Sequence, residues 1–213
     1  MKEYKYPTEQ EWGEIIIRPH LDTSKLNETV AGVLSEIRHE GDAAVRKYEQ
    51  MFDHVVLDSL QVTKEEIDAA VASVDSELLD ALKLAHANIH KFHSSQHISP
   101  KRVTTAPGVE CWQKCVAIEK VGLYIPGGTA PLFSTVLMLA TPARIAGCGE
   151  IVLCTPPDRE GHINPAILAA AHVAGVDKIF KIGGVQAIGA MAYGTESVPK
   201  VYKIFGPGNQ YVM

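Results

Sequence analysis

The sequence predicts an α/β fold: a parallel sheet, unfinished at its far end, preceded by a mainly helical segment with a β-hairpin. Three observations carry that reading. From Val121 onward, short apolar runs alternate with helix-length segments, starting near Val121, Glu150 and Asp177 and closing with a fourth run at Lys200–Phe205. This is the pattern of parallel strands joined by helical crossovers, with helices on both faces. Before Val121 the apolar spacing is mostly helical, interrupted by one extended stretch split by Pro107-Gly108. Finally, the fourth run passes into FGPGN, a turn of the kind that introduces another helix, close to Met213.

Residues 1–20 read as an amino-terminal arm, strand or coil, closed by Pro19. Leu26–Phe52 has helical periodicity (Val30, Val33, Leu34, Ile37, then Val45, Tyr48, Phe52) with a break at Gly41-Asp42. Thr63 followed by Glu66 is a capping box, which predicts a helix over Lys64–Val74. Ser76 is the expected cap of a helix from Glu77 to about Gln96, with Leu78, Leu79, Leu82, Ala85 and Ile89 as its apolar stripe. Val103–Ala106 and Val109–Ile118 read as the hairpin. The crossover helices are expected at Ser134–Cys148, Pro165–Ala174 and Gly184–Tyr193, and the boundary between the two regions near residue 120.

Composition narrows the function classes. The chain is 46% hydrophobic, enough for a core, and carries a formal charge of −5. Residues 1–108 hold 12 Lys+Arg against 18 Asp+Glu, and residues 109–213 hold 8 against 7. No Lys/Arg stripe suited to phosphate backbones appears, which argues against nucleic acid. MKEYKYPTEQEW lacks the apolar core of a signal peptide, and the best apolar run is broken by Pro142 and Arg144. The four cysteines fall outside C-x-x-C spacing and are expected as reduced thiols, in keeping with a cytoplasmic location.

Three glycine turns stand at the expected strand ends: YIPGGTAPL after the first strand, KIGGVQAIGA after the third and FGPGN after the fourth. Each could let a ligand approach the backbone at a helix start, or could be an ordinary tight turn. Tyr124, Gln186 and Asn209 lie near the carboxyl ends of separate strands, where open α/β sheets hold ligands. Cys148 and Cys154 lie in apolar surroundings that suit buried structural thiols better than nucleophiles. Cys111 and Cys115 are expected on one face of the hairpin, at a spacing that fits neither a zinc knuckle nor a redox pair. His86, His90, His93 and His97 are spaced along one helix face. That spacing can hold a metal, but a single helix rarely closes a tetrahedral site, and a solvated stripe is the commoner meaning.

Longer segments carry a family resemblance. VGLYIPGGTAPLFSTVLMLATPARIAGC, GGVQAIGAMAYGTESVPKV and KIFGPGNQYV closely resemble the amino-terminal half of the histidinol dehydrogenase family. GDAAVRKYEQMFD, NIHKFH and PGVECWQK extend the match into the first half of the chain. The resemblance implies a Rossmann-like, aldehyde-dehydrogenase-like sheet over residues 121–213 that binds NAD. It also implies that residues 21–120 belong to a first domain completed by sequence beyond this chain. The implied activity is oxidation of L-histidinol through the aldehyde to L-histidine, with NAD and zinc, in a homodimer. Tyr124, Gln186 and Asn209 match the family's NAD-contacting positions. The family's zinc ligands and its Glu-His acid/base pair have no counterparts in this sequence, so no metal or catalytic residue is expected here and the chain alone is expected to be inactive. A non-catalytic binding or scaffold module of the same fold remains the alternative.

Overall fold

The computed structural model describes residues 3–17, 24–127, 130–208 and 212. Strands β3 (Lys120–Tyr124), β4 (Glu150–Thr155), β5 (Lys178–Lys181) and β6 (Lys203–Phe205) form one parallel sheet in the order β5-β4-β3-β6. Their alternation partitions the core, because successive strand side chains point to opposite faces. Val121, Leu123, Ile151, Leu153 and Ile179 face one way; Tyr124, Val152, Cys154 and Phe180 face the other.

Helix α6 (Phe133–Ile145) and α7 (Pro165–Val173) cover the first face, and α8 (Gly184–Tyr193) covers the second. The path β3-α6-β4-α7-β5 therefore steps outward in one direction. Helix α8 then carries the chain back across the sheet to place β6 on the other side of β3. The order reverses between β3 and β6, and reversals of this kind are where open α/β sheets hold ligands.

The preceding helices build against these layers. Helix α2 (Ser24–Glu40) and α3 (Asp42–Tyr48) pack on α8; α4 (Lys64–Ser73) packs on α7, and α5 (Ser76–Ser94) on α6. Thr63 and Glu66 form the expected capping box, with the Glu66 N–H donating to Thr63 Oγ1 at 3.2 Å and the Thr63 N–H to Glu66 Oε2 at 2.8 Å. The segment Leu60–Val62 runs antiparallel along the outer edge of β5. The Val62 N–H donates to the Ile179 carbonyl at 2.9 Å and the Lys181 N–H to the Leu60 carbonyl at 2.7 Å.

Several expectations change. The arm contains a helix, α1 (Glu9–Ile15), where strand or coil was expected. Glu11 accepts from the Thr8 N–H at 2.8 Å and from its hydroxyl at 2.9 Å, the same T-x-x-E signal that marks α4. Pro19 lies outside the described residues. Asp75, not Ser76, caps α5, accepting from the Glu77 N–H at 2.7 Å. The helix ends at Ser94, so His97 leaves the stripe. The hairpin's second strand, β2, spans only Val109–Cys111 against β1 (Val103–Ala106), so Cys115 lies beyond it. Helix α6 stops at Ile145, short of Cys148, and β6 begins at Lys203 instead of Lys200.

Candidate functional site

Tyr124 ends β3, and its ring lies on the α8 face of the sheet. Its hydroxyl accepts from the Gly184 N–H at 3.0 Å, tying the end of β3 to the start of α8. Gly184 takes φ +48°, a left-handed conformation that glycine adopts without steric cost. Gln186 follows in the first turn of α8 and is 1% exposed. The structure therefore brings Tyr124 and Gln186 together around the Gly183-Gly184 turn, both deeply buried. Asn209 lies outside the described residues.

The chain leaving β6 passes directly over this point. A Cβ on Gly206 would collide with the Tyr124 carbonyl, so glycine permits the close approach of the two strand ends. Tyr124 and the turn before Gln186 thus stand at the carboxyl end of the sheet beside the reversal between β3 and β6.

Two residues not anticipated from sequence complete the cluster. Tyr48 leads into a π-helical turn, Glu49–Asp53, that continues α3. Such turns are uncommon and recur at functional sites. Glu49 is fully buried, and its Oε1 accepts from the Gly183 N–H at 3.0 Å and from Gln186 Nε2 at 2.9 Å. Asp53 Oδ2 accepts from the same Nε2 at 3.0 Å. Burial and then the Asp53 charge push the Glu49 carboxyl up to about 7, against the lowering pull of the Gly183 N–H and Gln186. Burial also raises Asp53. Tyr124 is pushed up to about 12, by burial first and also by Asp53, Cys154 and Glu49, so its phenol keeps its proton at neutral pH.

The remaining candidates separate by burial. Cys154 pairs in register with Tyr124 but is fully enclosed, and burial drives its thiol far above the ordinary range. Cys148 is buried and raised for the same reason, whereas Cys111 and Cys115 are exposed. His86 and His90 sit with ring centroids 6.1 Å apart, and His93 Nδ1 is 2.8 Å from Gln96 Oε1. Among the described residues, Asp158, Glu160 and His162 can bring ligand atoms within 4.8 Å of one another, all three exposed on the loop after β4. On the opposite face from Tyr124, a cavity of about 670 Å³ opens between α4, α7 and the ends of β3 and β4, lined in part by Gly127, Thr155 and Pro156.

Comparison with known proteins fits this arrangement. A family model for histidinol dehydrogenase matches residues 16–213. The chain belongs to the histidinol dehydrogenase family. It is 65% identical over 212 residues to the histidinol dehydrogenase of Bacteroides thetaiotaomicron, which covers 100% of this chain and 50% of that protein. It is 52% identical over 199 residues to the histidinol dehydrogenase of Salmonella typhimurium, covering 93% and 45%. The crystal structure of histidinol dehydrogenase from Elizabethkingia anophelis superposes with a TM-score of 0.93 at 50% identity, covering 97% of this chain and 48% of that one. The chain thus spans about half the length of the histidinol dehydrogenases it matches, and the mixed α/β architecture is theirs.

Proposed function

We propose that this chain is the amino-terminal, NAD-binding part of an L-histidinol dehydrogenase, with Tyr124, Gln186 and Asn209 contacting the dinucleotide. The observation that carries the reading is the position of Tyr124 and the Gly183-Gly184 turn at the sheet's reversal between β3 and β6. Open α/β sheets bind nucleotides at that point. The residue suits the group: Gln186 Oε1, in the first turn of α8, is a buried acceptor without a partner.

NAD⁺ held there would supply the hydride acceptor for two oxidations, alcohol to aldehyde and aldehyde to carboxylate. The chain's own contribution is placement. Tyr124 holds the Gly184 amide, and Gln186 offers a polar atom from the first turn of α8. Zinc, which the family resemblance implies, finds no fitting set among the described residues. The α5 histidines share one helix, and the Asp158 group is exposed. A homodimer and a cytoplasmic location belong to the same proposal; among the described residues no helix is long and apolar enough to cross a membrane.

The test is an assay at two lengths. Protein made to the length of its relatives should reduce NAD⁺ with L-histidinol and form two NADH per histidine. The 213-residue chain with added zinc should give no turnover. Absence of histidinol-dependent NADH from the longer protein sinks the function, and turnover by the shorter one overturns its assignment as a part.

A further inference from the structure

The cluster beneath the Gly183-Gly184 turn has a directional property. An amide side chain has a donor end and an acceptor end, and an ionised carboxylate only accepts. Gln186 Nε2 points at Glu49 Oε1 and Asp53 Oδ2, 2.9 and 3.0 Å away. Glu49 Oε1 already accepts from the Gly183 N–H, so it meets the amide as an acceptor even when Glu49 carries a proton on its other oxygen. Reversing the amide would set its oxygen against that atom and Asp53 Oδ2, so the pair selects one orientation. Oε1 is consequently turned away from both acids, toward Gly184, where a Cβ would stand 3.0 Å from it. Glycine leaves that side clear. The oxygen has no hydrogen-bond partner, and an unsatisfied buried acceptor is costly enough to call for a reason.

We infer that Glu49 and Asp53 are positioning residues for Gln186, holding its amide so that Oε1 receives a hydrogen-bond donor of the dinucleotide, a ribose hydroxyl or the carboxamide N–H. This rests on the assignment of Gln186 to NAD made above. The acids touch neither ligand nor reacting atoms; they act through Gln186. Glu49 additionally anchors the turn by accepting from the Gly183 N–H, so one carboxylate sets both the backbone and the side chain of the site.

The test separates orientation from affinity. In the ¹⁵N-labelled chain, the side-chain amide resonance of Gln186 is identified by its loss in Gln186→Ala. It should shift in Asp53→Asn and in Glu49→Gln, two near-isosteric changes, and Asp53→Glu, which keeps an acceptor, should restore it. In the protein at its relatives' length, Asp53→Asn should raise KM for NAD⁺ about tenfold, the scale of one hydrogen bond. KM for histidinol should stay within about twofold; a merely structural role would lower stability without that split. A Gln186 resonance unmoved in both acid variants overturns the positioning. The acetylpyridine analogue of NAD⁺, whose ring substituent has no N–H, separates the two donors. A Gln186→Ala penalty that persists with it assigns the hydroxyl, and one that vanishes assigns the carboxamide. If Gln186→Ala leaves NAD⁺ affinity unchanged, the dinucleotide assignment fails and the donor goes with it, while the resonance still decides the positioning.

Discussion

The hydroxyl of Tyr124 accepts from the backbone N–H of Gly184 at 3.0 Å, closing 60 residues of chain into one joint between the end of β3 and the start of α8. The joint lies on the sheet face that α2, α3 and α8 cover, with Cys154 in register beside it. It sets the height of the α8 amino terminus above the sheet.

Tyr124→Phe removes the acceptor and keeps the ring. The Gly184 N–H is then left without its partner in a largely buried place, at a cost of about 1–3 kcal/mol. Chemical denaturation should register that loss with an unchanged m-value. NAD⁺ binding should weaken as well, because the turn before Gln186 loosens. A variant as stable as the parent would show that the Gly184 amide finds another acceptor.

Glu49 should make stability fall as the solution turns from acid to neutral. Its folded value is about 7 against an ordinary 4.5, so between those limits the folded chain keeps a proton that the unfolded chain releases. Stability present below about 4.5 is lost as pH rises through about 7, and the loss then levels off. The size is on the order of 3 kcal/mol. Depressed carboxyls such as Glu36 and Glu150 act in the opposite sense, so the readout is the difference between the parent and Glu49→Gln across pH 4–8. Parallel curves for the two proteins would remove Glu49 as the source.

The four thiols should divide by burial. Cys111 and Cys115 are exposed, whereas Cys148 and Cys154 are buried and raised. A maleimide at neutral pH should therefore label two sites on the folded chain and four in denaturant, read by mass spectrometry. Rapid native labelling at Cys154 would mean that the sheet opens beside Tyr124.

Much of the fold was legible because its signals are local. The three crossover helices follow from strand-length apolar runs and the turns between them, and α4 from Thr63 and Glu66. The same spacing at Thr8 and Glu11 marks α1, but that helix buries no residue, so no core-facing pattern accompanies its cap. Asp75 outcompeted Ser76 because its carboxylate reaches the Glu77 amide from one residue earlier. The site was legible in part. Tyr124 and Gln186 announce themselves beside glycine turns, but Glu49 and Asp53 read as ordinary helix acids. Their role depends on partners more than 130 residues away. The one available hint was Glu49 falling next to Tyr48 on a helical face otherwise filled by Val45 and Phe52.

The short run Leu60–Val62 has an effect beyond its own hydrogen bonds. By lying antiparallel on the outer side of β5, it takes up the Ile179 carbonyl and the Lys181 amide on that edge and stands where another parallel strand would have to lie. Among the described residues, nothing pairs with the outer side of β6. In the language of polymers, the sheet has one terminated end and one living end. Among the described residues, the edge open to a further strand is that of β6, next to the strand that carries Tyr124.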